Sequence, residues 1–256
     1  MNNLITNVCI CVCFYNTNPL YLEECFKSID MAIWLFRRKY KDVPVELHVM
    51  DDGSDNIETL NMFDKITNEY KYIKCWKHAH NTTLSVAIND LNVFTPDNAL
   101  VIYIDSDDIM APNRLITQYE VMTKYDNKWK DITLCSSLTT NKTWKTDNSN
   151  YTHFFRYRTL NEVHSLEKNF LIHSTIAYRI NHLREFDIKY DNNLKCTQDY
   201  DFFLNILSHK LKLLLIPDAL VFYRIYPDAE KPDNIRDYSG EFIILRHKYN
   251  NPVLWG

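Results

Sequence analysis

Asp105-Ser106-Asp107-Asp108 places three acids within four residues, directly after the apolar run 99–104 (ALVIYI). Two carboxylates at i and i+2 around a tight bend can meet one hard divalent cation. Mg²⁺ and Mn²⁺ prefer oxygen, and often bind through one or two carboxylates plus substrate phosphates. A solvated acidic turn can carry the same D-x-D pair. The apolar strand feeding straight into it tips the balance toward a cation site. Asp51-Asp52-Gly53-Ser54 repeats the theme after 44–50 (PVELHVM). Gly53 is the only glycine in the first 239 residues, so positive φ is expected there. A plain β-turn would use the same residues. A further acid, Asp199, stands in the first turn of an expected helix over 197–209, which Thr197 can cap.

These acids need elements to hold them. Residues 7–14 (NVCICVCF) read as a strand buried on both faces, as in a parallel sheet. Cys9, Cys11 and Cys13 alternate along it, share one face and act as small hydrophobes. Apolar groups at Leu22, Phe26, Ile29, Ile33 and Phe36 predict an amphipathic helix over 20–38. Further strands are expected at 44–50, 72–76 and 99–104, with helices at 56–70, 82–94 and 112–125. This alternation implies βαβ units and a mainly parallel sheet. Ligands of such sheets sit at the carboxyl ends of the strands. The polar clusters 15–18, 51–54 and 105–108 all fall at such ends. After residue 111 the alternation weakens, with short strands and loops over 131–160 and a strand-like run at 211–225 around Pro217.

The composition narrows the chemistry. The chain has 256 residues, 46% apolar and 24% charged, which excludes a disordered or collagenous protein. A net charge of -4 gives no basic field, so nucleic acid is not an expected partner. Three glycines are too few for a G-x-G-x-x-G or a Walker A loop. No apolar run reaches the ~18 residues of a membrane span. The opening Met-Asn-Asn-Leu has no basic n-region, so no signal peptide and a cytoplasmic location are expected. Seven cysteines without a C-x-x-C argue against both zinc and a disulfide framework.

With these residues in order, the chain resembles the inverting nucleotide-sugar glycosyltransferases of family 2. The likeness runs through 8–16, ending in Tyr15-Asn16; through Leu22, Cys25, Ser28 and Ile29; and through 46–54 (ELHVMDDGS). It continues through Asn81, Ser85, Ala87 and Asn89, and through 103–115 (YIDSDDIMAPNRL). His173-Ser174-Thr175, Gln198-Asp199-Tyr200-Asp201 and Tyr223-Arg224 close it. The resemblance implies an α/β GT-A fold, with a mainly parallel, mixed central sheet flanked by helices and a Rossmann-like nucleotide-binding half. Residues 1–256 would form a single domain, with about 1–110 binding the nucleotide sugar and about 111–256 the acceptor.

The resemblance further implies a metal-dependent, inverting transfer of sugar from a nucleotide-diphosphate sugar to an acceptor hydroxyl, in glycan or polysaccharide synthesis. Asp52 would hydrogen-bond the nucleobase, Asp105 would approach the ribose, and Tyr15, Ser106 and Asn89 would complete the donor site. Asp107 would bind Mn²⁺ or Mg²⁺, and Asp199 would be the general base. The donor expected is a UDP-sugar, with GDP- and dTDP-sugars as alternatives, and the acceptor a glycan. His173, Arg156 and Arg158 are acceptor-side residues in this reading. The chain departs from the family pattern at Thr83 (usually Gly), Ile88 (usually Arg), Cys13, Gln198 and Ile225-Tyr226, where a histidine often lies. These departures motivate an alternative, a catalytically silent sugar-nucleotide-binding protein of the same fold. A metal phosphatase built on Asp105 and Asp107 is a third reading, disfavoured because no paired nucleophile motif follows.

Overall fold

The first strand, β1 (Asn7–Phe14), is buried beyond its first residue, and its two faces serve two different cores. The computed structural model describes residues 4–124, 132–141, 171–224 and 238–249. Val8, Ile10, Val12 and Phe14 pack on one face with residues of α1 (Pro19–Lys39), α2 (Ile57–Glu69) and α4 (Arg114–Lys124). Cys9, Cys11 and Cys13 lie on the other face with residues of α3 (Leu84–Phe94), α5 (Ile180–Glu185) and α6 (Gln198–Ser208). The period of two along a strand thus assigns helices to both sides of the sheet.

β1 lies between β2 (Val45–Asp51) and β4 (Ala99–Asp105), parallel to both, and β3 (Ile73–Lys77) extends the parallel set. The order β3-β2-β1-β4 is the 3-2-1-4 of a Rossmann-like half. β7 (Ala177–Arg179) joins antiparallel to β4, followed by β6 (Ile132–Asn141), β8 (Lys212–Tyr223) and β5 (Ile109–Met110). Among the described residues the sheet has eight strands and is mixed and mostly parallel. Register decides where the acids emerge: Phe14 pairs with Asp51, and Cys13 with Asp105. Both acidic turns leave the same edge.

Helix ends follow local chemistry. Asn18 accepts from Leu20 N at 3.0 Å with Pro19 at the first helical position, and Asn56 accepts from Glu58 N and Thr59 N. A cap contributes ~1 kcal/mol. Burying Leu22, Phe26, Ile29, Ile33 and Phe36 contributes ~1.5–3 kcal/mol each, so packing dominates in α1. α4 starts at Arg114, two residues later than the Pro112 start expected, because Pro112 and Asn113 form the preceding turn. Pro217 falls where β8 slips against β6: Ser137 pairs with Ile216 and Leu138 with Ala219. The bulge accommodates the missing N–H. β5, β7, α5 and α7 (Tyr238–Tyr249) were not anticipated from pattern. Among the described residues, no helix is long and apolar enough to cross a membrane.

Candidate active site

At the end of β4, the chain turns back on itself through a 3.1 Å bond from Asp108 N to Asp105 O. Asp105 Oδ1 accepts from Tyr103 Oη at 2.8 Å, and its backbone N donates to Ser174 Oγ at 3.1 Å. Ser106 is mostly buried, its hydroxyl 2.7 Å from that of Thr17. Burial, then the neighbouring Asp108 and Asp107 charges, drive the Asp105 carboxyl well above the usual range. Tyr103 eases this, and the charge of Asp199 adds to it. Asp199, 94 positions away by number, therefore shares the electrostatic environment of the β4 turn. Burial and Asp107 also push Asp108 up to about 7.

Asp108 is built in rather than displayed. Its Oδ1 accepts from Arg224 N at 2.8 Å. Its Oδ2 is buried without a partner at hydrogen-bonding geometry, although the Ser174 hydroxyl is near enough to favour the charged form. Arg224 continues the latch: Nε donates to Asp107 O at 2.7 Å, Nη2 to Glu24 Oε2 at 2.6 Å, and the guanidinium lies 3.7 Å over the Tyr21 ring. Behind the turn, Arg114 is fully buried. Its Nη2 donates to Tyr103 O at 2.7 Å and to Ile176 O at 3.2 Å, and its Nε to Gln118 Oε1 at 2.9 Å. Burial lowers its pKa to about 10, which leaves it charged beside the acids at neutral pH.

Three crowded acids, one with an orphaned buried oxygen, are a donor set short of positive charge. Such a set suits a hard divalent cation. Among the described residues, no group of three or more His, Cys, Asp or Glu forms a complete metal cage. One or two carboxylates plus a diphosphate would be the fitting arrangement.

The β2 turn forms the neighbouring wall. Gly53 has φ +76°, as its rarity led us to expect. A Cβ there would also overlap the His80 and Asn81 backbone, so the turn packs tightly on the 80–82 segment. That contact brings partners to Asp52. Its Oδ1 meets His78 Nδ1 at 2.7 Å, Thr82 Oγ1 at 2.7 Å and Thr82 N at 3.1 Å. Its Oδ2 accepts from Asn81 Nδ2 at 3.0 Å. His78 Nε2 reaches Asp90 Oδ2 at 3.0 Å. Burial opposes a charge on His78, but the bonds to Asp52 and Asp90 outweigh it and raise its pKa.

Tyr15 is exposed at the end of β1. The adjacent Asn16 has φ +49° and staples this end to the β2 turn, accepting from Asp55 N at 3.0 Å and Asn56 N at 2.9 Å. Asn89 is occupied differently from a ligand contact: its amide donates to Tyr190 O at 2.9 Å and to Asn192 Oδ1 at 3.0 Å, and accepts from Tyr190 N at 3.0 Å. It holds the 190 segment against α3.

Asp199 sits in the first turn of α6, its Oδ1 accepting from Tyr200 N at 2.8 Å. Thr197 occupies the N-cap position but makes no capping bond within the helix. His173 is buried over Tyr103, ring centroids 4.3 Å apart, with Nε2 2.8 Å from Tyr190 Oη. Burial lowers its pKa to about 3, so it is neutral. Arg156, Arg158 and Tyr226 lie outside the described residues.

Two departures from the family pattern have structural explanations. Thr83 is the N-cap of α3, accepting from Val86 N at 3.3 Å. Ile88 is fully buried in the core beneath α3 and offers the cleft no polar group. His78 and Arg114 carry no motif of their own in the sequence; the signal for Arg114 is an arginine on the buried face of its helix.

The sheet order is that of a GT-A fold, which the solved structures below share. Residues 9–190 match the sequence model of Glycosyl transferase family 2, and the chain belongs to that family. Staphylococcus aureus TarS, residues 1–349 with UDP-GlcNAc, is similar in structure. Its TM-score is 0.70 and its identity 16%, over 95% of this chain and 65% of that one. The mannosyltransferase PcManGT of Pyrobaculum calidifontis, solved with GDP-Man and Mn²⁺, has a TM-score of 0.63 and 15% identity, over 95% of this chain and 61% of that one. GalNAc-T7 with UDP, GalNAc and Mn²⁺ has a TM-score of 0.62 and 14% identity, over 88% of this chain and 45% of that one. The chain thus spans less than two thirds of these relatives' length. No curated protein matches in sequence.

Proposed function

We propose that this domain transfers a sugar, with inversion, from a nucleotide-diphosphate sugar to an acceptor hydroxyl in glycan or polysaccharide synthesis. The observation that carries the reading is the shared edge. Asp52 and Asp105–Asp108 follow parallel strands that flank β1 and pair in register with it, and the Asp199 charge is felt at Asp105. In this reading residues up to about 110 hold the donor and the rest the acceptor, within one domain.

Asp52 Oδ2 has one protein partner among the described residues and can accept from a nucleobase N–H. Asp105 and Ser106 would face the ribose and diphosphate, and Tyr15, exposed at the end of β1, could meet the donor. Asp107, with Asp105 beside it, would hold Mn²⁺ or Mg²⁺, which when bound offsets the charge growing on the leaving diphosphate. Asp199 takes the proton of the acceptor hydroxyl. That oxygen bonds the anomeric carbon as the bond to the diphosphate oxygen breaks. The relatives crystallised with UDP-GlcNAc and GDP-Man support a UDP-sugar first, and GDP- or dTDP-sugars as alternatives. Seven free cysteines support a reducing, cytoplasmic setting. His173 would act from the acceptor side through Tyr190.

The test is a thermal-shift panel of UDP, GDP, dTDP and CMP with and without Mn²⁺, followed by turnover of the matching sugar nucleotides. A ligand at 100 times its Kd adds ~2.7 kcal/mol, so the right nucleotide stands out. Asp199→Asn should lower turnover ~10²–10⁴-fold with nucleotide binding intact. Nucleotide binding without any turnover would instead favour a silent binding protein, the reading that the loss of a polar group at Ile88 keeps in play.

A further inference from the structure

α6 lacks an internal cap, yet its N-terminus is not bare. The donors ahead of Asp199 converge on a residue 42 positions later by number, Glu241 in the first turn of α7. Glu241 Oε1 accepts from Lys195 N at 2.8 Å. Glu241 Oε2 accepts from Cys196 N at 3.0 Å, Thr197 N at 2.9 Å and Thr197 Oγ1 at 2.9 Å. Three consecutive amides and a hydroxyl thus share one carboxylate. At its other end α7 takes hold again: Lys248 Nζ and Tyr249 Oη reach Asp201 Oδ1 at 2.7 and 2.8 Å. The two attachments bracket residue 199. The amides supply fixed partial positive charge, and only an acceptor-rich group such as a carboxylate can satisfy all four donors.

We infer that Glu241 is a positioning residue that sets the place of the Asp199 carboxylate by capping α6 from outside. The inference rests on the reading of Asp199 as general base. Glu241→Ala frees four donors and lets the 195–199 backbone relax. Glu241→Gln keeps the volume but turns an N–H₂ toward at least one backbone N–H. The attachment at Asp201 survives both, so α7 stays docked.

The test uses the full chain with Mn²⁺ and whichever of UDP-GlcNAc, UDP-glucose and GDP-mannose wild type consumes fastest, read as nucleotide release. A displacement of about 1 Å at a reacting group can cost 10²-fold. Glu241→Ala should therefore lower kcat ~10–10²-fold, with Glu241→Gln between it and wild type. Donor KM and the Kd for UDP or GDP should stay within about twofold, and amide exchange should quicken at 195–201. A role in stability alone would lower Tm while leaving kcat unchanged, and that result overturns the inference. Asp199→Asn separates the two claims. If it is slow while both Glu241 variants turn over normally, the positioning role fails alone. If it turns over normally, or wild type consumes no donor, the base reading fails and takes this inference with it. Should Glu241→Ala not fold, Glu241→Gln and Thr197→Val, which removes one of the four donors, decide by the same kcat and KM split.

Discussion

His78 Nδ1 lies 2.7 Å from Asp52 Oδ1, so the acid expected at the nucleobase is also half of a partly buried pair that becomes ionic when His78 is protonated. The other imidazole nitrogen faces Asp90, and Thr82 Oγ1 lies 3.3 Å from Nδ1. The His78 pKa is raised, so the pair stabilises the fold fully below the unfolded value of ~6.5 and loses that contribution as pH rises through the folded pKa. His78→Gln should be less stable than wild type at pH 6, with the difference shrinking as pH climbs past the folded value. Denaturant midpoints across pH 6–9 check this, and a constant difference would refute it.

His173 behaves in the opposite sense. Burial holds it neutral with a pKa of about 3, so only the unfolded chain takes up a proton as pH falls below ~6.5. Wild type should lose about 2 kcal/mol relative to His173→Gln between pH 7.5 and pH 5, at 1.36 kcal/mol per unit. Parallel stability curves for the two proteins would show that burial does not govern this ring.

Gly53 should tolerate nothing else. Alanine at φ +76° costs ~1–2 kcal/mol in backbone strain, and overlap with the 80–81 backbone adds to it. Gly53→Ala should lose more than ~2 kcal/mol in chemical denaturation and weaken nucleotide binding, because the Asp52 cage is built on that contact.

Asp199 and Asp201 should separate rate from stability. Asp201 is almost fully buried and binds Lys248 and Tyr249. Asp201→Asn should cost ~1–3 kcal/mol in unfolding free energy and little turnover. Asp199→Asn should do the reverse. Equal effects of both on turnover would remove the distinction.

Asp107→Ala should abolish the Mn²⁺-dependent part of nucleotide binding, measured by calorimetry, while its metal-free part persists. Nucleotide binding that is identical with and without EDTA in wild type would show that no cation takes part.

Much of the chain up to about residue 110 was legible because its signals are local. The buried strands, the helices between them and the acids at their ends can each be read within a dozen residues. Gly53 stood out through the scarcity of its kind. The other half rests on contacts that leave no period in the sequence. β6 and β8 pair across a bulge at Pro217, β7 is three residues long, and Arg224 reaches back to α1. Thr197 fits an N-cap by type, yet its hydroxyl serves Glu241. Asn89 fits the family spacing, yet its amide is taken by the 190 backbone. Type and spacing propose a partner; only the fold says which group arrives first.

The Arg224 latch has a consequence for how the protein is made. Glu24 and Arg224 stand 200 positions apart, and Arg224 also fixes Asp107 and Asp108. A ribosome delivers β1 to β4 long before it delivers this arginine. The nascent chain can assemble its parallel strands early, but the acidic turn stays unfastened until β8 has emerged and found β5. In the proposed reading, competence for a cation would arrive late in synthesis, in the step that pairs β8 with β5 at one end of the sheet.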